Sequence, residues 1–202
     1  MTIGQSERAT QNRVIALFRD ELGYDYLGDW TDRANSNVEE SLLTAYLTKA
    51  GYSAAQISRA LDRLRAEADH PNRSLYGNNQ AVYGLLRYGV QVKTAVGEVT
   101  ETVHLINWAD AAQNDFAIAA EVTLQGKQTR RPDLVLYVNG IAIAVLELKN
   151  SRVTIGDGIR QLVSNQLAEF NEWFSPPCKL CLPEMIPRVC NMGLSAHRIN
   201  IF

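Results

Sequence analysis

Three ionisable residues stand at the ends of two apolar runs. Asp133 precedes Leu134-Val135-Leu136-Tyr137-Val138, and Glu147 and Lys149 close the run that begins Ile141-Ala142-Ile143-Ala144-Val145-Leu146. Neither run alternates polar with apolar, so both read as strands buried on both faces. Burying a carboxylate is costly unless something pairs it, and two converging carboxylates repel each other. A divalent cation removes that repulsion. Mg2+ suits the pair, because it takes one or two carboxylates and fills its shell with water and phosphate oxygens. The chemistry implied is metal-assisted attack of water on a phosphodiester. Asp133 and Glu147 are the candidate metal ligands, and Lys149 would orient the nucleophile or stabilise developing negative charge.

The elements that must position these residues form a hairpin. Asn139-Gly140 lies between the two runs and is the strongest short-range hairpin signal a sequence offers. Glu147 and Lys149 are two apart and share a strand face, about 6.6 Å from each other along the strand. A two-residue loop pairs Val138 with Ile141 and Asp133 with Leu146, which puts Asp133 on the wrong face. A three-residue loop with Gly140 as a bulge residue pairs Tyr137 with Ile141 and brings Asp133 round to the face of Glu147. The site therefore requires the bulged hairpin or an equivalent splay.

Asp133, Glu147-Leu148-Lys149 and the hairpin between them resemble the motif of the PD-(D/E)xK nucleases, with Pro132-Asp133 supplying its first half. The longer strings RPDLVLYVNG and VLELKN resemble the N-terminal nuclease region of the R (restriction) subunit of type I restriction-modification enzymes. NNQAVYGLL, GVQVKTAVGEVTETVHLINW and QNDFAIAAEVTL do so too, and the likeness covers roughly residues 6–174. It implies an α/β, restriction-endonuclease-like core, a mixed central sheet flanked by helices, and a type I site-specific deoxyribonuclease that uses Mg2+. Double-stranded DNA and the methyltransferase (M) and specificity (S) subunits would be its partners. ATP would serve the full-length enzyme through a motor that this chain lacks, since it has no Gly-x-x-x-x-Gly-Lys-[Ser/Thr] loop. The family also places a Gln-x-x-x-Tyr motif on the helix after the lysine. Gln161 matches its first position, but Asn165 replaces the tyrosine.

The rest of the chain supplies accessory candidates. Helical spacing of Val14, Ile15, Leu17, Phe18 and Leu22 predicts a helix over 6–22, with Glu7 in its first turn as an accessory acid or a dipole-complementing one. Residues 24–36 read as a loop. A second helix starts near Asn37, and Ser53-Ala54-Ala55-Gln56 is a capping box opening a third. A fourth spans 79–88. Strands are expected over 90–96, 102–108 and 116–124, giving with the hairpin a sheet of about five strands. Lys127, Arg130 and Arg131 beside Asp133, and Arg160 and Asn165 on a helix over 157–174, are candidate DNA contacts. A net charge of −2 neither advertises nor excludes such binding. The polar start and the absence of a long apolar run point to a cytoplasmic, membrane-free protein.

Three parts follow: a helical part at 1–89, the nuclease core at 90–174, and a tail at 175–202 of different character. All three cysteines lie in this tail. Cys178-x-x-Cys181 with Cys190 and His197 offers zinc-type ligands, at spacings that match no common zinc site. Read one frame over, codons for the tail permit a string of the form AGND…GLQYGTIGTP, which resembles the R-subunit segment after the nuclease helix. A frameshift near Ser175 would explain this, and the tail should then pack poorly. Two rival functions remain: a DNA-binding or subunit-assembly module without turnover, and a stand-alone repair or defence nuclease.

Overall fold

The computed structural model describes residues 7–95, 97, 99–126, 128–149, 160, 163–164, 172–178 and 180–185, with positions 7, 149 and 180–185 as backbone. Four helices, α1 (Glu7–Ala16), α2 (Glu40–Lys49), α3 (Ala54–Ala68) and α4 (Leu75–Tyr88), accompany seven strands. These are β1 (Asp25–Asp29), β2 (Val90–Val92), β3 (Glu101–Val103), β4 (Phe116–Ala120), β5 (Leu134–Val138), β6 (Ile141–Lys149) and β7 (Leu180–Met185). The architecture is α/β.

The central sheet runs β1-β4-β5-β6-β7. Its three inner strands are antiparallel neighbours, while β1 and β7 add in parallel at the two edges. Strand β1 forms where a loop was expected, from a polar stretch whose place is fixed by pairing with β4. The segment over 180–185 pairs with β6 from Ala144 to Lys149. The expectation of a poorly packed tail thus fails for these six residues: β6 offers an open row of backbone groups that an extended segment satisfies. Strands β2 and β3 form a separate two-stranded ribbon rather than joining the main sheet.

Each face of the sheet has its own core. Ile118, Ala120, Leu134, Leu136, Ala144, Leu146 and Leu148 pack against Val14, Ile15 and Phe18 of α1. The opposite face, with Ala117, Ala119, Val135, Tyr137, Ala142 and Val145, packs against Trp30, Phe174 and Cys178. A third core joins α2, α3, α4 and the β2–β3 ribbon to Val138 and Ile141 at the turn of the β5–β6 hairpin. The capping box forms as read: Gln56 N–H donates to Ser53 Oγ, and Ser53 N–H donates to Gln56 Oε1 at 2.8 Å. α4 begins four residues earlier than expected, because Ser74 Oγ accepts from Gly77 N–H and caps it. At α2 the cap position falls on Glu39, and Asn37 instead donates its side-chain amide to Trp173 O at 2.7 Å.

Candidate active site

The site is built by register. Val138 pairs with Ile141 across a two-residue turn, in which Asn139 and Gly140 have φ of 52° and 81°. Two consecutive positive φ values match the twist of the flanking strands, and an Asn-Gly pair tolerates them best. The turn alone would set Asp133 beside Leu146. The register shifts first: Tyr137 pairs with Ala142, but Leu136 pairs with Ala144, so Ile143 is an extra residue. The bulge expected at Gly140 therefore lies three residues further on. Ala142 N–H faces away from β5 and donates to Asn37 O at 2.9 Å, as part of the bridge that pairs Val38 with Ile141 along the other edge of β6.

Beyond the bulge Leu134 pairs with Leu146, where the ladder ends, and Asp133 and Glu147 stand one residue further along their chains. Both alternate with residues of the α1-facing core, so both belong to the face of Val135, Tyr137 and Val145. Lys149 ends β6 two positions beyond Glu147. The three residues singled out first therefore share one end of one hairpin.

Burial and hydrogen bonding distinguish them. Glu147 is 1% exposed, among the most buried residues of the chain. Asp133 is half-buried, and its Oδ2 accepts the Leu148 N–H at 2.5 Å. The β5–β6 ladder has ended before this point, and the carboxylate gives the Leu148 amide its partner. Among the described residues no cluster of three or more His, Cys, Asp or Glu gathers. A pair of carboxylates is what Mg2+ takes from a protein when water and phosphate complete its shell, so the residues present fit that ion.

A second group of charges braces the same end from the α1 side. Glu121 follows β4 at φ 52°, and its N–H donates to Asp133 O at 2.9 Å. Its carboxylate pairs with Arg131 at 2.9 Å and Arg8 at 3.4 Å. Gln11, 3% exposed, donates Nε2 both to Glu121 Oε1 and to Asp133 O, each at 3.0 Å. Arg8 also lies 3.8 Å from Asp29, whose carboxyl is held below its usual value chiefly by the Thr31 hydroxyl. Sequence reasoning passed over Gln11 and Glu121. One signal was available: Gln11 falls at apolar helical spacing with Val14, Ile15 and Phe18, an odd place for an amide.

The other candidates are placed as follows. Glu7 opens α1, one residue before Arg8. Arg131 is half-exposed and held by Glu121, and Arg130 exchanges backbone hydrogen bonds with Leu124 at 2.7 and 3.1 Å. Arg160 is exposed in a helical segment. Lys127, Gln161, Asn165, Cys190 and His197 lie outside the described residues. Further up the same face, Tyr137 is fully buried, and its hydroxyl meets no hydrogen-bond partner among the described residues. Burial drives its phenol well above the ordinary value, and the Glu39 charge adds to this.

A mixed sheet with a helix on one face and a carboxylate pair at the open end of its central hairpin defines an α/β domain of nuclease-like architecture. A family model for the N terminus of the type I restriction enzyme R protein matches residues 4–177, and the chain belongs to that family. Over 90 residues it is 32% identical to a Methanocaldococcus jannaschii protein that carries the name of the MjaIXP type I restriction enzyme endonuclease subunit. That alignment covers 42% of this chain and 8% of the relative. Over 76 residues it is 37% identical to the type I restriction enzyme HindI endonuclease subunit of Haemophilus influenzae, covering 36% of this chain and 7% of the relative. The matched stretches are thus under a tenth of either relative's length. No helix among the described residues is long and apolar enough to cross a membrane.

Proposed function

We propose that this domain is a Mg2+-dependent DNA endonuclease that cleaves phosphodiesters without sequence specificity of its own. One observation carries the reading. The Ile143 bulge sets Leu134 opposite Leu146, so that Asp133 and a Glu147 that is 1% exposed fall on one face at the same end of the hairpin. Asp133 and Glu147 would hold Mg2+, which when bound supplies Lewis-acid chemistry at a phosphoryl oxygen and acidifies water. Asp133 is fixed for that task by the Leu148 amide, and Glu147 by the strand it is buried in. Lys149, two positions along, would hold the attacking water or offset charge on the phosphate. Arg131, with Lys127, Arg130, Arg160, Asn165 and Gln161, would contact the DNA backbone, and Glu7 would assist from the start of α1. The methyltransferase and specificity subunits of a type I complex would bring DNA to the domain, and ATP would be consumed by a motor elsewhere.

The 2.5 Å bond from Leu148 N–H to Asp133 favours a second reading, in which the carboxylate is a strand-end cap in an idle assembly or DNA-binding module. Nicking of supercoiled plasmid with Mg2+ separates the two. The nuclease reading expects nicks by the purified chain and none by Asp133→Ala or Lys149→Ala. A folded chain that nicks no better than either variant would reject it. The frameshift origin of the tail is a separate proposal. The coding DNA tests it directly, since codons incompatible with the alternative string would dismiss it.

A further inference from the structure

We propose that Gln11 is a positioning residue: by bridging the Asp133 carbonyl and the Glu121 carboxylate, it sets the orientation in which Asp133 presents its own carboxylate. The role assigned to that carboxylate rests on the nuclease reading above; the brace itself does not.

The argument begins with an amide in the wrong place. Gln11 sits on the apolar face of α1, 3% exposed, where a hydrocarbon side chain would serve packing better. Burying it is tolerated because every polar atom is used. Its Oε1 accepts from Arg8 at 3.0 Å, and its two Nε2 protons go to Asp133 O and Glu121 Oε1, each at 3.0 Å. Those two acceptors belong to different strands, and both sit where regular pairing has ended. Asp133 precedes β5, with Pro132 before it; Glu121 follows β4 in a left-handed conformation that a residue with a Cβ adopts reluctantly. Glu121 N–H returns a second bond to Asp133 O at 2.9 Å. The Asp133 carbonyl is thus held twice, from α1 and from the end of β4. Fixing the carbonyl fixes the peptide plane, and with it the direction of the side chain that meets Leu148 N–H. Outer partners that orient a ligating carboxylate are commonly worth about ten- to a hundredfold in metal affinity or activity.

The test has a readout that does not depend on catalysis. In the unmodified chain, the Gln11 side-chain amide protons should be resolved by NMR and exchange with solvent at least about tenfold more slowly than those of exposed glutamines. In Gln11→Met, which keeps volume and apolar packing, the Leu148 amide should exchange faster while the Val135 and Val145 amides keep their protection. Gln11→Glu, of the same shape without the donors, should do the same. Free-like exchange of the Gln11 amide, or unchanged Leu148 protection in a folded variant, overturns the brace whether or not the chain cuts DNA. Where the chain nicks plasmid, Gln11→Met should lower kcat by about ten- to a hundredfold with KM for DNA unchanged. Unchanged kcat alongside faster Leu148 exchange would uphold the brace and the orientation it sets, but reject their consequence for cleavage. Failure of the unmodified chain to bind Mg2+ or nick would instead count against the nuclease reading alone.

Discussion

The two ends of the β5–β6 hairpin are built to opposite specifications. At the turn, Asn139 is 1% exposed and fully engaged: its Nδ2 donates to Leu105 O and Asn114 Oδ1, each at 2.9 Å, and its Oδ1 accepts Asp115 N–H at 2.7 Å. Gly140 O accepts Glu39 N–H at 2.7 Å, so the start of α2 seals the loop. Most hairpin turns face water, whereas this one is a junction of four segments. At the open end the same strands present a buried Glu147 and a half-buried Asp133 on one face. The first end uses its polar groups to lock the fold. The second keeps carboxylates where packing would prefer carbon. The difference teaches that on the nuclease reading the closed end would supply the rigidity against which the open end holds its two acids.

Substitutions at each end should therefore have crossed consequences. The largest effect is expected from Glu147→Gln, which keeps the shape of the buried side chain and removes its charge. Plasmid nicking should fall by roughly a thousandfold, the several kcal/mol of charge stabilisation attributed to a metal site. Thermal stability should change far less than nicking, because the substitution conserves the volume of the buried side chain. Loss of stability with nicking intact would reverse the roles of the two ends.

Gly140→Val should do the converse. A Cβ at this position would meet Glu39 O and Leu42 Cβ at 2.7 Å, at a φ of 81° that valine disfavours. Left-handed strain and overpacking together should cost on the order of 3 kcal/mol, read as a lower urea midpoint. Mg2+ affinity per folded molecule should be unchanged, and a selective loss of metal binding would erase the division.

The smallest effect should come from Tyr137→Phe, midway along the hairpin. Its hydroxyl has no partner among the described residues, so removing it should be neutral or slightly stabilising at pH 7. The folded phenol is raised above its unfolded value, so the unfolded chain loses the proton first as pH climbs past about 10. Stability is then complete below pH 10 and declines above it until the folded phenol itself ionises. A melting series from pH 7 to 11 should show this decline in the parent and a shallower one in Tyr137→Phe.

Much of this was legible in the residues. The Asn-Gly turn, the Ser53–Gln56 capping box and the apolar stripe of α1 each rest on local chemistry that the fold does not override. The position of the bulge was not legible. In a strand apolar on both faces, alternation carries no information about which residue is the extra one. On the other edge of β6 the Ala142 amide goes to Asn37, a partner more than a hundred positions away that no local pattern displays. Strand β1 was missed for a related reason: Asp25-Tyr26-Leu27-Gly28-Asp29 has the composition of a turn and becomes a strand only beside β4. Of the site, the acids and the lysine stood out by type, while Glu121 and Gln11 act through contacts that no sequence spacing displays.

The bond from Gln11 to Asp133 spans 122 residues of chain, against 15 for the bond from Leu148 to Asp133. During synthesis the helix that carries Gln11 is made first and waits while most of the domain follows it. The hairpin can close on itself as soon as it emerges, since its contacts are local. Its acids would then face each other without their brace until α1 returns across the sheet. The contact that braces the site thus closes a far longer loop than the hairpin does, so cutting power would arrive only once α1 has docked.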